Sequence, residues 1–216
     1  MFEIFENVEY EVINKGKDFV IGDIHYDSRK IKENDVFCAL IGAVTDGHNY
    51  IEKAVNSGAK MVIAEKKDIT VADKDVTYIF VDNLRKHLGV IASNFFGWPQ
   101  KKLKIIGITG TNGKTTSSYI LDSMLENTSR IGTIGYKILD EEIEAPNTTP
   151  ESLDLVKMLD KSLKKGVEYF IMEVSSHALE IGRVDMLEFD SVMFTNLTQD
   201  HLDYHENMEN YFNAKF

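Results

Sequence analysis

The segment Gly107-Ile108-Thr109-Gly110-Thr111-Asn112-Gly113-Lys114-Thr115-Thr116 is the part of this sequence best suited to hold a phosphate. Gly110 and Gly113 let the backbone fold closely around an anion, and the helix expected next offers free N–H groups and the positive end of its dipole. Lys114 can set a cation against the β- and γ-phosphates, and the Thr115 hydroxyl can bind Mg²⁺. The spacing departs from the common phosphate-loop pattern, which needs glycine where Ile108 stands. Gly-Lys-Thr alone could also be a helix-capping turn; an apolar run before it and an amphipathic run after it favour the phosphate reading. Two more apolar runs end in chemistry. Tyr169–Val174 carries Glu173 and leads into Ser175, Ser176 and His177, while Ser191–Phe194 leads into Thr195, Asn196, Asp200 and His201. A carboxylate at the end of a buried strand can hold Mg²⁺ beside the phosphate loop; the plain alternative for Glu173 is a surface charge. Open parallel sheets bind ligands outside the carboxyl ends of their strands, so three such ends point to one shared crevice.

The elements that must position these residues form a βαβα series. Leu103–Ile108 reads as a buried strand, followed by the glycine-rich turn and a helix with Ile120, Leu121, Met124 and Leu125 facing inward. Ile131–Ile134 reads as a strand. Thr149 caps a helix with Pro150 at its first position; Leu155, Leu159 and Leu163 line the buried face and Gly166 ends it. This order predicts a phosphate-loop-type parallel sheet with helices on both faces. Before it, Val36–Ile41, Met61–Ala64 and Tyr78–Val81 read as strands, with a helix through Tyr50, Ile51, Ala54 and Val55 and another through Leu84, Leu88, Ile91, Ala92 and Phe95. Gly97-Trp98-Pro99-Gln100 breaks the pattern. The expectation is α/β throughout: a small mixed α/β domain over residues 1–98 and an incomplete sheet domain over residues 99–216.

Composition narrows the function. The chain has 216 residues and a formal charge of −11, which repels nucleic acid, so any phosphate site must be local. A single cysteine, Cys38, excludes an intrachain disulfide and sits in an apolar run as a buried thiol. Residues 1–10 carry Glu3, Glu6 and Glu9 and do not read as a signal peptide. No apolar stretch approaches the roughly 20 residues of a membrane helix. A cytoplasmic, monomeric protein is expected, with no nucleic acid or membrane partner.

The run Thr109–Thr116 resembles the ATP loop of the Mur ligases, which join an amine to a carboxylate by way of an acyl phosphate. Further stretches are similar to the same family: Asp27-Ser28-Arg29, Asp46-Gly47-His48, Asn147-Thr148-Thr149-Pro150, Glu173–Leu179, Gly182-Arg183 and Thr195–His205. The wordings Ser-Ser-His-Ala-Leu and Asp-His-Leu-Asp-Tyr-His look like the branch that adds the third amino acid to the cell-wall precursor. The resemblance implies ATP and Mg²⁺ as cofactors, and UDP-N-acetylmuramoyl-L-Ala-D-Glu and a free amino acid as partners. It implies that Tyr26, Ser28 and the loop Gly42–His48 hold the UDP part, and that Asn147, Thr148, Thr149, Ser175 and Arg183 hold the peptide end. It gives Gly110, Thr111, Asn112, Gly113, Lys114, Thr115 and Thr116 to the nucleotide. Thr115, Glu173, His201 and Lys215 go to the metal, Lys215 as a carbamate; Lys114 joins Glu173, His201 and Lys215 as the catalytic set. From the residues alone His201 could be a solvated loop histidine and Lys215 a solvated helix lysine. Family members continue beyond this length, so this stretch by itself is expected to lack turnover. Another Mur-type ligase and a non-catalytic nucleotide-binding module stay open as alternatives.

Overall fold

The computed structural model describes residues 1–42 and 45–216, and the chain divides into two compact units, Met1–Phe95 and Phe96–Phe216.

In the first unit the elements are β1 (Glu11–Asn14), β2 (Ile24–His25), β3 (Val36–Ala39), α1 (Ile51–Asn56), β4 (Met61–Ala64), β5 (Thr77–Phe80) and α2 (Leu84–Phe96). They build one sheet in the order β1-β5-β4-β3-β2, parallel except for the β1–β5 pair. Every residue of β3 and β4 is buried, as expected for inner strands of a parallel sheet covered on both faces. Ala39, Ala54, Ala59 and Ala64 keep that core thin, and Phe37 and Tyr78 fill it. The buried Tyr78 hydroxyl accepts from the Ala72 and Asp73 amides, so its polar end is satisfied. Cys38 is buried in β3. The short strands β1 and β2 have too little apolar pattern to stand out in the sequence.

The second unit contains β6 (Lys104–Thr109), α3 (Lys114–Met124), β7 (Thr128–Ile131), β8 (Tyr136–Ile138), β9 (Glu141–Ile143), α4 (Ser152–Lys164), β10 (Tyr169–Glu173), α5 (Ser176–Glu180), β11 (Ser191–Phe194), α6 (Leu202–His205) and α7 (Met208–Lys215). The sheet runs β11-β6-β10-β7-β8-β9. Its first four strands are parallel; β8 and β9 add an antiparallel flap. Right-handed crossovers put α3, which leads rightward from β6 to β7, on one face. They put α4 and the β10–β11 connection, which lead leftward, on the other. Neighbours β6 and β10 therefore send their following segments to opposite faces, which opens a crevice between their carboxyl ends. Register levels those ends: Glu173 lies beside Ile108, and Phe194 beside Thr109.

Three expectations need correction. The strand expected over Ile131–Ile134 is β7, three residues earlier, and three of its four buried residues are polar. Ser129 is buried against Ser162 with hydroxyls 2.8 Å apart, Thr128 donates to Asp122, and the Arg130 guanidinium stacks 3.6 Å above the Tyr119 ring. Second, α3 is rotated from the expected face. Ser118 is buried and Leu121 and Leu125 are half-buried, but Ile120 and Met124 are 53% and 73% exposed. Residues 114, 118, 121 and 125 share one helical stripe, and the sheet takes that one. Third, Thr149 does not cap α4. Glu151 is the cap residue, and the Thr149 hydroxyl instead donates to the Glu173 carbonyl at 2.9 Å. The strand expected over Ser191–Phe194 is β11, with those bounds; it is the last strand of this sheet and all four of its residues are exposed.

The Ser129–Ser162 pair yields a test. Ser162→Ala strands one buried hydroxyl and should cost about 1–3 kcal/mol in urea unfolding, whereas the double change Ser129→Ala/Ser162→Ala should cost less than the two single changes summed.

Candidate functional site

Glu173 ends β10 with no exposed surface, and a carboxylate buried that fully needs donors. Three are present: the Thr115 hydroxyl at 2.9 Å, the Thr133 hydroxyl at 3.1 Å and the Thr133 amide at 3.3 Å. They come from the first turn of α3 and from the turn after β7. Gly132 must lack a side chain, because a Cβ there would stand 2.1 Å from Glu173 Oε1.

The loop between β6 and α3 is held from its other side by the segment after β11. The Thr111 amide donates to the Asn196 carbonyl at 3.0 Å, and Asn196 Oδ1 and Nδ2 bracket Asn112. Thr195 Oγ1 donates to the Asn112 carbonyl at 2.7 Å. The Thr111 hydroxyl lies 3.1 Å from the Tyr211 hydroxyl and accepts from the Thr198 amide. Gly110 sits at φ +136°, and a Cβ there would fall 2.0 Å from Thr195 Oγ1. Both reasons demand glycine.

Two amines meet at the loop's base. Lys114 Nζ donates to the Gly110 and Thr111 carbonyls at 2.8 and 2.9 Å, and Lys215 Nζ lies 3.3 Å from the same Gly110 carbonyl and 3.4 Å from Thr109 Oγ1. Lys215 is 8% exposed although it is the penultimate residue. Burial, then the nearby Lys114 charge, pushes Lys215 down to about 8, against a weaker upward pull from Asp200. Burial also lowers Lys114, against Glu173 and Asp200.

The residues expected to hold the peptide end gather beside Glu173. Thr148 Oγ1 is 3.0 Å from Thr133 Oγ1, and Thr149 Oγ1 accepts from the Ser175 amide at 3.1 Å. The Ser175 hydroxyl caps α5 by accepting from the Ala178 amide. Arg183 donates to the Thr149 carbonyl at 2.9 Å and to Glu151 at 2.6 Å. Asn147 is exposed, and its carbonyl accepts from Tyr136. His201 is placed differently. Its ring lies 5.1 Å from His177 and 6.2 Å from Tyr211, with Asp200 at 3.6 Å, and among the described residues it makes no bond to Glu173 or Thr115. His177 is lowered by burial and by the His201 and His205 charges. His205 is buried between Ser176 and Glu180. Thr116 is exposed on α3.

In the first unit Tyr26 and Ser28 follow β2, half-buried and buried respectively. Arg29 holds Asp27 through paired bonds and lowers its carboxyl to about 2. The expected loop Gly42–His48 includes Ala43 and Val44, which lie outside the described residues.

Sequence reasoning missed Thr133, Tyr211 and the carbonyl of Thr149. Thr133 would have been found had the strand before it been placed correctly. Tyr211 had no signal, because its partner lies 100 residues away.

Among the described residues no three His, Cys, Asp or Glu side chains converge on one point, and no helix is long and apolar enough to cross a membrane. Mg²⁺ does not need such a cage; it takes one or two carboxylates and fills its shell with substrate phosphates and water. The Thr115–Glu173 pair at the mouth of the loop has donors of that kind.

Residues 108–216 match the Mur ligase middle domain, and residues 20–96 match a domain described as Mur ligase family, catalytic domain. Over 215 residues the chain is 59% identical to UDP-N-acetylmuramoyl-L-alanyl-D-glutamate--2,6-diaminopimelate ligase of Fusobacterium nucleatum subsp. nucleatum, covering 98% of this chain and 44% of that protein. The enzyme of that name from Clostridium tetani is 48% identical, over 99% of this chain and 45% of its own length. A solved structure of a ligase with that name superposes with a TM-score of 0.72 at 29% identity, over 90% of this chain and 40% of that one. The chain thus spans under half the length of these relatives.

The Lys215 environment sets a pH dependence. The unfolded chain binds more protons than the folded one between about 8 and the ordinary lysine value of 10.5, so stability should rise with pH across that window. Lys215→Met should remove its share of that rise, read as the difference in urea midpoint between pH 7.5 and 10.

Proposed function

The chain belongs to the Mur ligase family, and on that premise we propose that it is part of an ATP-dependent amide ligase of peptidoglycan precursor synthesis. The enzyme adds the third amino acid to UDP-N-acetylmuramoyl-L-Ala-D-Glu in the cytoplasm. The names of its relatives favour 2,6-diaminopimelate as that amino acid. The γ-phosphoryl group of ATP passes to the D-glutamyl carboxylate and ADP leaves; the incoming amine attacks the acyl carbon and gives up a proton, and phosphate leaves as the amide forms.

One observation carries the reading: the Thr115 hydroxyl lies 2.9 Å from the buried Glu173 carboxylate at the mouth of a glycine loop that ends in Lys114. The amides of Gly110–Thr116 and the Lys114 ammonium cradle the phosphates. Thr115 and Glu173 would hold Mg²⁺, which would supply charge neutralisation at the phosphate oxygens. His201 would be a further ligand to that ion. Asn147, Thr148, Thr149 and Ser175 position the peptide end. Arg183, aimed by Glu151 and the Thr149 carbonyl, offers a planar cation to its carboxylate. Tyr26 and Ser28 hold the UDP part. Lys215 is suited to become a carbamate, because an amine with a pKa near 8 is partly neutral at physiological pH and only the neutral amine adds CO₂.

Calorimetry should show this chain binding UDP-N-acetylmuramoyl-L-Ala-D-Glu; absence of heat at millimolar ligand would remove the substrate assignment. Glu173→Gln should weaken ADP binding about 10-fold in Mg²⁺ and leave binding in EDTA unchanged, in keeping with about 1.5–3 kcal/mol for an interaction with a charged group. Equal affinities in both buffers would remove Glu173 from the metal site.

A further inference from the structure

Tyr211 lies fully buried on α7, and its hydroxyl reaches Thr111 Oγ1 in the glycine loop at 3.1 Å. The neighbours fix the direction of that bond. Thr111 has one hydroxyl proton, which goes to the Thr198 carbonyl at 3.1 Å, and a carbonyl can only accept. The Thr198 amide donates back to Thr111 Oγ1 at 3.0 Å. Tyr211 is therefore the donor to Thr111. The loop is held at this residue from two sides, by the segment after β11 and by α7. The Thr111 carbonyl in turn accepts from Lys114 Nζ at 2.9 Å, beside the Gly110 carbonyl at 2.8 Å. A shift of Thr111 would carry the Lys114 ammonium with it.

The Tyr211 ring is clamped behind its hydroxyl. The His205 ring lies 5.2 Å away, tilted by 37°. His205 is buried, with Nε2 2.8 Å from Ser176 Oγ and Nδ1 3.1 Å from Glu180 Oε2, both on α5. One helical turn beyond Tyr211, Lys215 sets its Nζ 4.8 Å over the same ring and 3.3 Å from the Gly110 carbonyl. One face of α7 thus grips two successive loop residues, Gly110 through Lys215 and Thr111 through Tyr211. The phenol cannot swing away from Thr111 without leaving the imidazole and the amine that border its ring.

We infer that Tyr211 is a positioning residue for the nucleotide: by donating to Thr111 Oγ1 it holds the Thr111 carbonyl where that carbonyl aims the Lys114 ammonium at phosphate. This rests on the phosphate reading of the loop, and the experiment separates the two. The probe is ADP with Mg²⁺, titrated into this chain in a calorimeter. Tyr211→Phe keeps the ring and removes only the donor; the Kd should rise about 5-fold, as for the loss of one net hydrogen bond. Thr111→Val removes the acceptor at nearly the same volume. In that background Tyr211→Phe should change the Kd by less than about twofold, because the bond is already gone. If the wild-type chain fails to bind ADP at millimolar concentration, the phosphate reading falls and the inference with it. If it binds and Tyr211→Phe binds equally well, or if the effects of the two changes multiply as for independent packing, the inference alone is overturned. Spectra of the wild-type chain need no variant to fold. With ¹³C-labelled tyrosine and ADP bound, the Tyr211 hydroxyl proton should exchange slowly and show an NOE to the Thr111 methyl group. Rapid exchange or a missing contact also overturns it.

Discussion

A carboxylate sealed from water at the end of a central strand is costly unless every lone pair finds a donor, and the second unit is arranged around meeting that demand at Glu173. The first turn of α3 brings Thr115, the turn after β7 brings Thr133, and Gly132 clears the space between them. The same stretch of β10 fixes the neighbouring loop, because Thr149 bonds the Glu173 carbonyl and the Ser175 amide together. Moving any of these segments by an ångström would leave charge buried without a partner. The donor set is also one that an ion can replace: two hydroxyls and an amide are neutral and bring no positive charge of their own to compete with a cation.

Charge at the loop follows from the topology. The parallel strands β6, β10 and β11 end at one level, so the loop after β6 is flanked by segments from both neighbours. Lys114 and Lys215 then share the Gly110 carbonyl within a chain whose net charge is −11. Burial and the nearby Lys114 charge depress Lys215 there, and an anion between the two amines would relieve it.

Much of this could be read from the residues. The runs ending in Thr109, Glu173 and Phe194 are strands because short apolar stretches bounded by polar turns have few other options. Their meeting at one rim follows from parallel order. Other parts were hidden for physical reasons. Strand β7 is buried through Thr128, Ser129 and Arg130, whose partners Asp122, Ser162 and Tyr119 come from helices 6 to 33 residues away in sequence, so no local pattern announces it. The facing of α3 was misjudged because Ile120, Leu121, Met124 and Leu125 straddle two stripes, and the glycine loop, not hydrophobicity, sets the helix's rotation. Thr149 beside Pro150 has the wording of a cap, but its hydroxyl is worth more against the buried carbonyl of Glu173.

The outer strand β11 has a bearing on how this stretch of chain, taken by itself, behaves in a tube. It bonds β6 on one side only, and Val192, Met193 and Phe194 are exposed beside Phe212 and Phe216. A row of open main-chain groups next to oily side chains is the usual template for sticking to other chains. Heat or high salt, which strengthen apolar adhesion or mute the repulsion between acidic molecules, will turn that rim into the place where precipitation begins. Cold, dilute, low-salt stocks will keep it clear.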